Sequence, residues 1–335
     1  MTALLRPSLR DPRAFATLRS ACVCDAVYFG EQGTGSAHAQ IFDLGGAAAV
    51  ERQSSAEAAL MVGLAEAISS ESFQGDTPVA EVVSSLRSGF VTWRQSPEHL
   101  RQPGTTVLGA ATALCGDGLW EAASIPASKG SSPVARCVPF AFLPEHVWAG
   151  ATQLQAAMTH AHPAVIASAY VTTAALRSVL VGEPRTGLLA HLHGLVQLER
   201  DHYREEWLGA VWQRGKSRSA SGWIRRGWDS VGDQLIALAD ELGLLLGSPP
   251  VASSSVDYHT ADVALLHTLR WWLAGPQRTQ EDAFAVAASH ELGSSVALLC
   301  GALVGASGAG KQALTTTCFD LEARVASVTD AGTAR

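Results

Sequence analysis

Three carboxylates stand where acid–base chemistry could be done. Asp25 is set into the apolar face of an N-terminal segment, RAFATLRSACVCDAVYFG, Glu31 follows just beyond it, and Glu57 opens a second apolar stretch. A carboxyl group in a water-poor setting can hold or release a proton near neutral pH, so these three are the candidates for acid, base or substrate orientation. Each also has a structural account. Buried acids usually hydrogen-bond to neighbouring loops, a loop acid such as Glu31 needs no role, and a first-turn carboxylate suits the helix dipole.

The groups suited to binding lie further along. Lys129-Gly130-Ser131-Ser132, with Arg136 beyond, combines backbone N–H groups, hydroxyls and cations, the chemistry that receives an anion, although Pro133 removes one donor. Thr159-His160 precedes a helix and could present an imidazole to a cleft or bury it in the core. His162 and the His191/His193 pair look like metal ligands, but residues two apart on a helix do not share a face. Cys22, Cys24 and Cys137 lack a neighbouring histidine and acid, so a nucleophile is not indicated. The tryptophans at 271–272, 207 and 212 are most economically core or interface aromatics.

Helices must position these residues. The most patterned stretch, Ala287 to Gly310, turns from polar residues into an apolar run with small residues at Gly301, Ala302, Gly305 and Ala306, which lets another helix approach closely. Ser294 or Ser295 is its expected N-cap, and Ser54 or Ser55 that of a helix over 55–70. Periodicity and Pro/Gly punctuation predict further helices over 13–30, 79–93, 105–115, 145–157, 163–181, 186–212, 229–246, 257–274 and 279–291. Residues 116–133 read as a long loop, and 31–49 as turn-like. One all-α domain over 1–335, with its core at about 13–325, is the expected architecture.

Composition narrows the function classes. With 335 residues, 47% apolar and 16% charged, the chain can bury a large helical interior. A net charge of −7 gives no footprint for nucleic acid, and the basic cluster Arg214–Arg226 reads as a solvated loop or helix end. No signal-peptide pattern and no 18-residue apolar run stand out, so no membrane partner is expected. Six scattered cysteines suit a reduced, cytoplasmic protein.

Five stretches, in order, resemble the motifs of the ADP-ribosylglycohydrolase family: Cys24-Asp25-Ala26, the helix ending in Leu64-Ala65-Glu66-Ala67, Ala135-Arg136-Cys137-Val138-Pro139, Thr159-His160, and His290 to Gly310. The resemblance implies an all-α fold with a cleft for ADP-ribose and, in active members, two magnesium ions. It places Lys129 to Ser132 where the family meets phosphate and ribose, and Glu31 one residue from an acid near the scissile bond. It also lays the family's Thr-Asp-Asp-Thr on Ser55-Ala56-Glu57-Ala58, and its two closing aspartates and threonine on Leu292, Ser294 and Ser295. Glu57 alone keeps a metal-binding carboxylate, whereas Mg²⁺ wants near-octahedral oxygen ligands carrying charge. No metal or other cofactor is therefore expected, and Ser55, Ser294, Ser295, Arg136 and His160 become substrate-binding candidates.

The first expectation is a catalytically impaired or repurposed member whose cleft binds an ADP-ribose-like or other nucleotide ligand. The second is a metal-independent hydrolase of an N-glycosidic bond using Glu31, Glu57 and Asp25. The third is an interaction protein with a protein partner and no small ligand.

Overall fold

The computed structural model describes residues 8–31, 53–69, 77–244, 259–275, 277–289, 292–308 and 321–330. Sixteen α-helices run through them: α1 Pro12–Glu31, α2 Ala56–Ile68, α3 Val79–Gln95, α4 Thr105–Leu114, α5 Trp120–Ala123, α6 Ser132–Ala135, α7 Glu145–Ala157, α8 Pro163–Leu180, α9 Arg185–Glu199, α10 Glu205–Leu208, α11 Val211–Arg214, α12 Ala220–Glu241, α13 Ala261–Leu273, α14 Gln280–Ser289, α15 Gly293–Ser307 and α16 Glu322–Asp330. Among the described residues there is no strand, only isolated bridges from Ile125 to His160 and from Gly130 to Thr260.

The central pair is α1 against α15, the most extensive helix contact in the fold. Small residues make it possible. A β-carbon at Gly301 would lie 2.4 Å from the Ser20 carbonyl oxygen, and one at Gly305 would lie 2.5 Å from that of Ala16. The two backbones therefore touch directly, which brings the Asp25 end of α1 level with the start of α15.

Helix α8 fills the middle of the other half, between α7, α9, α12, α13 and α15. It is long and apolar enough to cross a bilayer, but 89% of it is buried inside the fold, so its apolar character is accounted for by packing. Gly227 of α12 allows that helix to cross the start of α8: a β-carbon there would lie 2.2 Å from the Pro163 carbonyl oxygen.

Outside the cavity, three segments depart from the sequence reading. The helix expected over 186–212 stops at Glu199, whose carboxylate receives both terminal nitrogens of Arg204 at 2.6 and 2.7 Å. The chain then turns through Gly209, at φ +50°, where Tyr203 donates to the Leu208 and Gly209 carbonyls. Second, the basic stretch begins α12 early, because the Ser219 side chain caps Gly222 N–H at 3.1 Å. Third, the long loop over 116–133 folds into α5 and the start of α6.

Candidate functional site

Asp25 holds the start of α2. It is fully buried, its Oδ2 accepts from the Ser55 backbone N–H and its Oδ1 from the Ser55 hydroxyl, both at 2.7 Å. Ser55 Oγ in turn accepts from the N–H groups of Glu57 and Ala58 at 3.1 and 3.3 Å, closing an N-cap. This fixes the first turn of α2 and aims Glu57 at α6, where Glu57 Oε1 accepts from the Ser132 hydroxyl at 2.8 Å.

Ser132 is shared. Its oxygen also accepts from Arg136 Nη1 at 2.6 Å, so one hydroxyl bridges a carboxylate and a guanidinium. Arg136 is itself fully buried, with Nε donating to Gln155 Oε1 at 2.7 Å, Nη2 to the Gln155 carbonyl at 3.1 Å and to Thr159 Oγ1 at 2.5 Å. The Phe90 ring lies under it at 5.2 Å. Burial pushes the Glu57 carboxyl up to about 7, while the charge of Arg136 and the Ser132 hydrogen bond pull the other way. Burial likewise brings Arg136 down to about 10, with Glu57 opposing, so it stays charged at neutral pH.

His160 is the neutral member of the site. Burial, then the nearby charge of Arg136, holds it well below the usual imidazole range. Thr159 Oγ1 receives Arg136, lies 2.7 Å from His160 Nδ1 and reaches the Ala156 carbonyl at 3.4 Å, so one hydroxyl links the guanidinium to the imidazole. Gly130 leaves the room for that ring edge, since a β-carbon there would lie 2.9 Å from Nε2.

A cavity of about 380 Å³ opens beside these groups. Of the expected residues, Ser55, Glu57, Ser131, Ser132, His160, Ser294 and Ser295 line it. Asp25, Lys129 and Arg136 do not. Asp25 stands behind Ser55, and Arg136 reaches the wall through Ser132 and Thr159. The Lys129 side chain is exposed, and its backbone carbonyl ties the loop to Ala261 N–H at 2.8 Å. The side chain of Glu31 lies outside the described residues.

The α15 cap differs from the one expected. The N-cap is Leu292, without a side-chain hydrogen bond, and Gly293 adopts φ +76° to enter the helix. Ser295 Oγ donates instead to Ser131 Oγ at 2.9 Å, joining α15 to the 129–132 loop across the cavity. Gly104-Thr105-Thr106 at the start of α4, Tyr28, and His259 also line the cavity and escaped the sequence reading. Pro103-Gly104 marked only a helix start, and nothing local showed which way that start would face. His162 caps α8 by accepting from Ala164 N–H at 3.3 Å, and His193 contacts Gln197. Among the described residues no three His, Cys, Asp or Glu side chains converge as metal ligands.

An all-α fold whose cavity lies where the starts of α2, α4, α6 and α15 meet defines a class of helical proteins with a cleft at their helix starts. The chain belongs to the ADP-ribosylglycohydrolase family, which residues 7–314 match. Among solved structures, one described as an "ADP-ribosylglycohydrolase-related protein complex" superposes with a TM-score of 0.60 at 16% identity, over 96% of this chain and 98% of that one. No curated protein matches significantly by sequence.

Proposed function

We propose that this protein is a member of its family that binds an ADP-ribose-like or other nucleotide ligand in the cleft without a dinuclear magnesium site. One observation carries the reading: Glu57 supplies the only carboxylate lining the cavity among the described residues, and it is already bonded to Ser132. At two of the other family metal positions the hydroxyls are also engaged, Ser55 with Asp25 and its own cap, Ser295 with Ser131; at a third, Ser294 offers a neutral oxygen where the family has an aspartate. Two magnesium ions would need several free, charged oxygens, and this donor set does not fit them.

The cavity does suit a phosphate-bearing ligand. The starts of α4 and α15 open on it with no side-chain cap, leaving first-turn N–H groups for anionic oxygens. The hydroxyls of Ser131 and Ser294 supply further donors, and the neutral His160 imidazole a further hydrogen-bonding group, for phosphate or ribose oxygens. The buried cysteines Cys22, Cys24, Cys137 and Cys300 form no disulfide among the described residues, which fits a reducing, cytoplasmic setting.

The test is thermal unfolding with ADP-ribose and NAD, in magnesium and in EDTA. A micromolar ligand at millimolar concentration adds about 4 kcal/mol of stability. The expected result is stabilisation by ADP-ribose that EDTA leaves unchanged. Magnesium-dependent release of ADP-ribose from modified arginine or serine, at rates typical of enzymes, would overturn the reading.

A second reading is favoured by the raised pKa of Glu57. A carboxyl titrating at about 7 is suited to general acid–base work on an N-glycosidic bond without metal. It requires chelator-insensitive turnover that Glu57→Gln abolishes. Turnover unchanged in both Glu57→Gln and Glu31→Gln excludes it.

A further inference from the structure

A second cavity, of about 400 Å³, lies at the opposite end of α15 from the cleft, beside Ser307 and Gly308. Two arginines form part of its wall. Arg185, at the start of α9, lies over Trp272 with Cζ 3.8 Å from the ring centroid. Its Nη1 donates to the carbonyls of Trp272 and Gly275 at 3.1 and 2.8 Å. Arg278, just before α14, lies 4.9 Å from the Trp271 ring and donates Nε to the Trp271 carbonyl at 2.7 Å. A β-carbon at Gly275 would lie 2.8 Å from Arg278 Cζ, so the guanidinium rests directly against the glycine and a larger residue there would displace it.

Both side chains are thus pinned in place, yet neither has a carboxylate partner among the described residues. Glu183, also on the wall, sits 4.0 Å from His191 instead. Burial first, and then the charge of Arg278, lowers the pKa of Arg185, as like charges facing one cavity must. Three of the ten guanidinium N–H groups reach backbone carbonyls, leaving both outer forks of Arg278 and one of Arg185 available. Trp272, buried in the same wall, has an indole N–H with no partner among the described residues.

The geometry points to a binding site for a phosphate-bearing small molecule at this cavity, its phosphoryl group held between Arg185 and Arg278. A phosphate monoester carries nearly two negative charges at neutral pH and three acceptor oxygens, matching two fixed cations with planar donor forks. A monocarboxylate would leave one charge unanswered. Leu188 and Val179 give the cavity an apolar side for the rest of the molecule, and its volume is that of a small-metabolite pocket. The site is separate from the nucleotide cleft and does not depend on that reading.

The test is calorimetric titration of the full chain with inorganic phosphate and with ribose 5-phosphate, in chloride buffer. Both are expected to bind, and Arg278→Gln to weaken both by about tenfold or more, the loss of one charge-assisted fork. Arg278→Lys should fall between the two, keeping the charge and losing the fork. Arg225→Gln, which removes an exposed arginine paired with Asp201 outside both cavities, should leave these affinities unchanged. Because Arg185 also anchors two carbonyls, Arg278→Gln carries the test if Arg185→Gln does not fold. Tighter binding of the ester identifies a phosphorylated metabolite as occupant, and tighter binding of the free ion identifies phosphate itself. Equal affinity in wild type and Arg278→Gln, or no binding of either probe at 10 mM, which is about a thousandfold above a tight site, overturns the proposal.

Discussion

Both carboxylate oxygens of Asp25 accept from one residue, Ser55, whose N–H and hydroxyl they receive at 2.7 Å each. A helix start is thereby pinned to the neighbouring helix through a buried charge. Asp25→Ala strips two charge-assisted hydrogen bonds and leaves buried donors bare, and is expected to destabilise by about 3–5 kcal/mol. Asp25→Asn keeps the shape and should lose about 1–2 kcal/mol. Urea unfolding at pH 7 measures both, and a loss under about 1 kcal/mol in the alanine variant would mean the pair does not hold α2.

Glu57 sets a pH dependence with a defined sign. Its folded pKa, about 7, lies above the usual 4.5, so between those values the native state holds a proton the unfolded chain has released. Stability from this group is therefore complete below about pH 4.5, falls as pH rises through the window, and levels off above about 7, by roughly 3 kcal/mol in all. Glu57→Gln should flatten that slope and be the more stable protein at pH 8. Denaturant midpoints from pH 5 to 8 read the difference, and parallel curves would refute it.

Ser132 separates Glu57 from Arg136. Its hydrogen bond is one of the influences lowering the Glu57 pKa, so Ser132→Ala should raise it further above about 7. The carboxyl stretch in the infrared, followed against pH, reports the midpoint. Arg136→Met should cost about 3–5 kcal/mol by leaving Gln155 and Thr159 without their buried donor, and Arg136→Lys should not rescue it, lacking the planar fork.

Gly301 is where α15 meets α1. With a β-carbon placed 2.4 Å from the Ser20 carbonyl and 2.8 Å from Cys24 Sγ, Gly301→Ala must push backbone apart. A loss of about 1–3 kcal/mol is expected from such overpacking. Gly109, with open space where its β-carbon would go, serves as the control and should tolerate alanine. Equal melting temperatures for the two variants would show that the helices can part without strain.

The helices themselves were legible wherever local rules decide. Pro163 begins α8 at its first residue, Ser55 caps α2, and the period of apolar residues marks α3 and α7. The break after Glu199 was hidden, because residues 186–212 keep a helical pattern and the turn is made by Arg204 returning to Glu199. The cap of α15 misled for a similar reason: Ser295 finds a better partner in Ser131, 164 positions away in sequence, than in its own helix. Within the site, types and spacing pointed to Glu57, Ser131, Ser132 and His160, and the family resemblance added Ser55; all five line one cavity.

By itself, the sequence determined the helices, their small-residue seam and the chemical types gathered near each helix start. Periodicity, capping and side-chain size act over a few residues, so they can be read from a linear string. Only the tertiary structure decided that Asp25 and Arg136 stand behind the wall while Ser294 and the start of α4 form it. It also set the Glu57 carboxyl near neutrality and brought Arg185 and Arg278 to one cavity. Burial and charge act through space between segments far apart in the chain, and those distances exist only once the chain has packed.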